Sequence, residues 1–112
     1  PTATTAVQRA RASAGSGHGL EAIAMLQRDL GVAGSSSFDR LQLLLALGEI
    51  QAEVGQLEDA RSTLTATLSL LGSDRMGRLS VHRRLAAIED RLGNKNQAAW
   101  ERQQVEALEA AP

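Results

Sequence analysis

Cysteine is absent from this 112-residue chain, and its aromatic residues are limited to Phe38 and Trp100. Without cysteine, the chain can form neither a disulfide framework nor a thiolate metal site. Two aromatic rings are too few for the stacked platforms that bind single-stranded nucleic acid. We therefore expect a fold held together by its apolar core, and the lack of cysteine fits a reducing, cytoplasmic compartment.

Long apolar runs and a large charge excess are also missing. No apolar stretch of the sequence approaches the roughly 18 residues that a membrane-spanning helix needs. The formal net charge of −1 gives no bulk attraction to nucleic acid or to anionic lipid. We therefore expect no membrane contact and no nucleic-acid partner. The length suits one domain, and because the chain starts at Pro1 rather than at methionine, we expect it to be part of a larger protein.

The stretch 41–71 contains two amphipathic helical patterns on either side of Gly55. In each pattern, apolar residues recur at the spacing that places them on one face of an α-helix. Because only a few residues separate the patterns, the two helices are predicted to fold back as an antiparallel pair. The apolar positions are Leu43, Leu47, Ile50 and Val54 in the first helix and Leu57, Ala60, Leu64, Leu68 and Leu71 in the second.

A period of 38 residues runs through the chain, because Gly17, Gly55 and Gly93 follow one another at that interval. An alanine follows each glycine by five positions, and a small residue precedes each glycine by seven. A glycine at such a place ends a helix in the left-handed conformation. The small residues would let two paired helices approach closely. The alanines are Ala22, Ala60 and Ala98, and the upstream small residues are Ala10, Gly48 and Ala86.

Three helix pairs, and therefore about six helices, follow from this period. The first helix of the first unit has few large apolar residues and is the weakest of the predicted helices. We expect one domain over 1–112, with units at about 3–34, 38–72 and 74–110.

The boundaries between units carry linker and capping signals. Residues 31–37 are rich in Gly and Ser, as in a linker, and Ser37 is predicted to cap the third helix. Ser73 or Asp74 is predicted to cap the fifth helix. Gly77, near the start of that helix, is expected to delay its regular part by one turn.

The central unit resembles a tetratricopeptide repeat. The family pattern has Leu-Gly in the first helix and a glycine at the turn between the helices. A bulky residue follows that glycine by two positions and an alanine follows it by five. At those places this chain has Leu47-Gly48, Gly55, Leu57 and Ala60.

The chain also departs from the family pattern. The third unit has Lys95 and Arg102 where bulky apolar residues are usual, and the first unit has Arg9 in place of a leucine. The usual Trp and Tyr of the family are missing. The period exceeds the family's 34 residues by about one helical turn. Such longer repeats are similar to the arrays of large bacterial signalling regulators, such as the ATP-dependent transcription activators.

The resemblance implies an all-α fold in which antiparallel helix pairs stack as a short right-handed α-solenoid. The first helix of each pair would line a concave groove that binds a protein or peptide, which makes the chain a scaffold module of a regulatory protein. The family's clamp for chaperone C-termini is not expected, because Val7 and Arg11 replace its Lys and Asn. Carried over position by position, the groove residues are Arg11, Gln42, Leu45, Glu49, Glu53, Arg83, Arg84 and Arg91.

The residues give no sign of catalysis, a cofactor or a metal site. His18 lies in a Gly-Ser-Gly-His-Gly run that suits a turn between helices, because a phosphate loop needs a preceding strand and a following Lys-Ser/Thr. His82 has Arg78 and Ala86 four residues away on its helix, so we expect a partly exposed histidine without a partner. The HExxH spacing of zinc enzymes is absent. The arginines of segment 75–91 suggest phosphate binding, but the near-neutral total charge argues against it.

Trp100 lies two residues after Ala98 and is predicted to point away from its own partner helix. With Val105 and Leu108, it would then contact a downstream helix or a second copy of the chain. Alternatively, the ring folds back over Leu92. Two other functions stay open: a helical oligomerisation domain, and an accessory domain of an enzyme whose active site lies elsewhere in the parent chain.

Overall fold

The computed structural model describes residues 3–32 and 36–111, and the regular structure in both ranges is entirely helical. The all-α prediction is thereby confirmed at this level. No helix of the described ranges is long and apolar enough to cross a membrane. Part of the predicted linker, residues 33–35, lies outside the described residues. The six helices of these two ranges are α1 (Ala3–Gly15), α2 (Gly19–Leu30), α3 (Ser37–Glu53), α4 (Leu57–Leu71), α5 (Arg75–Leu92) and α6 (Lys95–Ala110).

Helices α1, α3 and α5 end in the same local structure. Each is followed by a left-handed glycine, with φ of +88°, +90° and +81°. The glycine amide donates to the carbonyl three residues earlier, and the next amide donates to the carbonyl five residues before it, at 2.9–3.2 Å. These two bonds define the Schellman motif, which satisfies carbonyls at a helix end. The predicted turns at Gly17, Gly55 and Gly93 are confirmed.

The starts of α3 and α5 are capped by side chains. Asp74 caps α5 as predicted, and its Oδ1 accepts a hydrogen bond of 3.1 Å from the Gly77 amide. Ser36, rather than the predicted Ser37, caps α3, and its Oγ accepts from the amide three residues later at 3.1 Å. The delay predicted at Gly77 is wrong, because the helix is regular from Arg75 onward.

Consecutive helices pack as pairs: α1 with α2, α3 with α4, and α5 with α6. The last pair is antiparallel, since the start of α5 contacts the end of α6 and the end of α5 contacts the start of α6. Nε of Arg75 donates to the carbonyl of Leu108 at 2.7 Å, while Nδ2 of Asn94 donates to Oε1 of Glu89 at 3.2 Å.

The small residues of the period are buried, as predicted. Gly48 allows α3 and α4 to approach closely, because a Cβ built on it would lie 2.6 Å from Cδ2 of Leu64. Leu64, rather than Ala60, is therefore the nearest neighbour of Gly48 on α4. Four of these small residues are completely buried, namely Ala10, Ala22, Ala60 and Ala98. Ala86 and Gly48 are also buried.

Helix α3 lies between two apolar clusters and joins them. Leu43, Leu47 and Ile50 pack with residues of α1 and α2. Leu41 and Leu45 pack against the second cluster, which is built from α4 and α5. Because α3 is apolar on two sides, it reads as a buried helix rather than as an amphipathic surface helix.

Contacts between successive pairs also recur with the period. A Cβ built on Gly19 would lie 2.3 Å from Cγ1 of Val54, so the start of α2 meets the end of α3. At the positions 38 residues later, Leu57 and Leu92 line one recess. The apolar cluster of α4 and α5 includes Leu57, Leu64 and Leu68 of α4. The equivalent positions of α6 are Lys95, Arg102 and Glu106, and all three are exposed.

Candidate functional site

Glu49 on α3 connects the first helices of all three pairs. Its side chain is 21% exposed, and its Oε2 lies 3.2 Å from Nη2 of Arg11 on α1. Its Oε1 lies 3.3 Å from Nη2 of Arg84 on α5. Two arginines from different helices thus share one partly buried carboxylate, and such a network is stronger than an isolated surface ion pair. Three of the predicted groove residues are therefore in contact.

Arg91 extends this row toward the end of α3. Its Nη1 donates a hydrogen bond of 3.0 Å to the carbonyl oxygen of Ala52. Carbonyls in the last turn of a helix carry a partial negative charge, so a guanidinium group is stabilised there. We define the groove face as Arg11, Glu49, Arg84 and Arg91.

A pocket of about 140 Å³ opens on the groove face between α3, α4 and α5. Leu64 and Ile88 give it an apolar lining, and both are buried. Glu49, Arg84 and Arg91 provide its polar side. An apolar recess with a few fixed polar groups can hold an aliphatic group while orienting a charged neighbour.

Four predicted groove residues are not in this network. Arg83 donates from Nη2 to Oε2 of Glu109 on α6 at 3.0 Å, because neighbouring residues of a helix point about 100° apart and Arg84 takes the groove side. Leu45 packs in the apolar cluster of α4 and α5. Gln42 is half-buried on α3, and Glu53 is exposed at its end. The groove face is therefore smaller than predicted and carries the same net charge of +2 on fewer residues.

A second polar cluster, which sequence analysis missed, lies between α4, α5 and α6. Glu89 on α5 is buried, and its Oε1 accepts from Nε and Nη2 of Arg61 at 3.1 and 2.8 Å. Nδ2 of Asn94 donates to the same oxygen at 3.2 Å. Arg61 and Glu89 are 28 residues apart, so only the packing of α4 on α5 brings them together.

His82 belongs to the same region and is only 3% exposed, so the prediction of a partly exposed histidine is wrong. Its Nδ1 lies 2.6 Å from Oε2 of Glu101 on α6. Nε2 of Gln97 donates to the other oxygen of Glu101 at 3.3 Å. The sequence four residues either side of His82 could not reveal this partner, because Glu101 lies on the next helix.

Trp100 contacts the helix from which it was predicted to turn away. Its ring meets the His82 ring edge-on, with centroids 6.1 Å apart and an interplanar angle of 70°. The predicted orientation away from α5 is therefore wrong, although 47% of the residue remains exposed. Val105 and Leu108 are half-buried, so Trp100 is the one exposed member of the predicted end-to-end interface.

Residues 3–32 and 36–111 contain no group of three or more His, Cys, Asp or Glu side chains placed to hold a metal ion. No model of a known protein family matches the chain, and no curated protein is similar to it. Its function therefore has to be inferred from the geometry of the groove face and of the second polar cluster.

Proposed function

We propose that this chain is a tetratricopeptide-like, right-handed α-solenoid that binds a protein or peptide across the groove face. The observation that carries the proposal is the carboxylate of Glu49, which Arg11 and Arg84 share from two other helix pairs. This sharing makes α1, α3 and α5 present one continuous polar surface. The threefold recurrence of the Schellman turns and the buried alanines supports a repeat array.

The groove face favours a partner segment that is acidic and carries an aliphatic side chain. Three arginine charges stand there against the single charge of Glu49. An acidic group would be attracted to Arg84 and Arg91, and a neighbouring aliphatic side chain would enter the 140 Å³ pocket. The module would then serve as a scaffold within a cytoplasmic regulatory protein.

Selection of a random peptide library on the intact chain tests this proposal. We expect the selected peptides to combine Asp or Glu with aliphatic residues. Fluorescence polarisation should show that Arg84→Glu weakens their binding at least about tenfold, because it replaces attraction by like-charge repulsion. Arg28→Glu changes the net charge equally on the exposed surface of α2 and is the matched control.

Two results would contradict the proposal. One is equal affinity of the selected peptides for the Arg84 and Arg28 variants, with both variants folded by circular dichroism. The other is a map of peptide-induced NMR shifts that spares the methyl groups of Ala52, Ala87 and Ile88, which line the pocket.

A further inference from the structure

A second pocket, of about 530 Å³, lies between α4, α5 and α6 and shares no residue with the groove face. We refer to it as the α4–α6 pocket. Its volume lies within the range of roughly 300–1,000 Å³ that is typical of ligand sites. Leu68, Leu85 and Trp100 give it apolar surface, and its charged residues are Arg61, Glu89 and Glu101.

The lining of the α4–α6 pocket contains two carboxylates and one guanidinium group. The charge of Glu89 is matched by Arg61, whose Nη2 is 2.8 Å from it. Glu101 is 5% exposed, and no Lys or Arg of the described chain lies within 4.0 Å of its carboxylate. Its bonded partners are the amide of Gln97 and the ring of His82, which supplies a positive charge only when it is protonated. A buried carboxylate without a permanent counter-charge is costly.

The aromatic side of the α4–α6 pocket also suits a cationic ligand. Trp100 is 47% exposed although its ring contacts the His82 ring, so part of its surface stays open to an incoming group. A cation over an indole ring is attracted by the ring's negative face, and a planar guanidinium can also stack on it. Leu68, which is half-buried, offers apolar surface for the aliphatic stem that carries such a cation.

We propose that the α4–α6 pocket binds a guanidinium group on an aliphatic stem, as in an arginine side chain of a partner protein. The cation supplies Glu101 with a permanent counter-charge, and its stem covers Leu68 and Trp100. Arg61 stays on Glu89, so binding adds a charge without displacing an existing ion pair. This site does not depend on the groove face, and either one can fail without the other.

Fluorescence of Trp100, the single tryptophan of the chain, reports directly on occupancy of the pocket. The probes are the blocked tripeptide Gly-Arg-Gly, its neutral Gly-citrulline-Gly counterpart, and butylguanidinium, titrated at constant ionic strength. We expect a saturable change with the arginine peptide and none with the citrulline peptide. Affinity for the peptide about tenfold above that for butylguanidinium assigns the site to a polypeptide partner, whereas equal affinities assign it to a free organic cation. Equal responses to arginine and citrulline, or no saturable response, would overturn the proposal.

A variant that breaks no observed contact provides the second test. Thr65 is exposed on α4 and lines the α4–α6 pocket. Thr65→Lys tethers a competing ammonium group at the pocket, so we expect the arginine peptide to bind at least about tenfold more weakly. Thr65→Gln has a similar helix propensity and no charge, and it should bind as the unmodified chain does. Equal binding by the two variants, both folded by circular dichroism, would show that the cation binds elsewhere.

Discussion

At the scale of single residues, the approach of α3 to α4 depends on a missing side chain. Gly48→Ala would place a Cβ 2.6 Å from Cδ2 of Leu64, which is almost fully buried and would have to shift to accept it. We expect a loss of about 1–3 kcal/mol in unfolding free energy from overpacking. This loss should outweigh the gain of up to about 1 kcal/mol that alanine brings inside a helix. Urea unfolding followed by circular dichroism measures the difference.

The same substitution at Gly15 is the matched control for Gly48→Ala. Gly15 is the last residue of α1, and a Cβ built there meets no atom within 4 Å. Gly15→Ala should therefore leave the stability unchanged or raise it slightly. If Gly48→Ala proved as stable as Gly15→Ala, the contact between Gly48 and Leu64 would not exist in solution.

At the scale of elements, the three Schellman turns are the features that recur most closely. Gly17, Gly55 and Gly93 all have positive φ, and a Cβ at any of them meets no atom within 4 Å. Alanine at each should therefore cost only backbone strain, about 1–2 kcal/mol. We expect similar losses at the three turns, measured by thermal unfolding. Gly31→Ala, at a φ of −78°, is the control without such strain, and a cost at Gly31 equal to the others would refute this explanation.

These turns and the helix ends could be predicted because the bonds that make them are local. The left-handed glycines and the cap at Asp74 involve residues at most five positions apart. The predicted cap of α3 is wrong by one residue because consecutive serines offer the same hydroxyl group. Only the backbone geometry selects Ser36. The residues of the groove face were predicted from the family resemblance. The periodicity of α5 could not show that Arg83 turns to α6.

The second polar cluster could not be predicted, because its bonds cross between helices. His82 and Glu101 are 19 residues apart, and Arg61 and Glu89 are 28 apart. Each pair meets only after the rotation of each helix about its axis is fixed by apolar packing. A hydrophobic pattern locates a helix face to within about a third of a turn, and this is too coarse to pair two side chains.

At the scale of the whole molecule, α6 differs from α4 at the positions that contact the next pair. Leu57, Leu64 and Leu68 of α4 belong to the apolar cluster with α5, whereas Lys95, Arg102 and Glu106 stand at the equivalent places of α6. Arg102 forms an exposed ion pair with Asp90 instead of packing against a further helix. We infer that a fourth pair could not stack on α6 through the contacts that join α4 to α5.

Replacing Lys95, Arg102 and Glu106 by leucine together should restore a contact surface on α6. We expect the triple variant to self-associate at lower concentrations than the unmodified chain, because a contiguous apolar patch would face water. Light scattering over a concentration series measures this. The triple glutamine variant removes the same charges without adding apolar surface and should associate no more strongly than the unmodified chain. If the unmodified chain self-associates and the leucine variant does not associate more strongly, this role of α6 is wrong.

Helix α1 differs from α3 in the same sense. Leu43, Leu47 and Ile50 insert α3 into the first cluster, and the positions 38 residues earlier on α1 are Thr5, Arg9 and Ala12. Stacked units joined head to tail form open filaments when the last surface of one molecule fits the first surface of the next. The compared positions of α6 are charged and those of α1 are polar or small, so the two surfaces offer each other no apolar contact. The 38-residue period therefore recurs from α1 to α6 without giving these two helices the matching apolar surfaces through which copies of the chain would join into a filament.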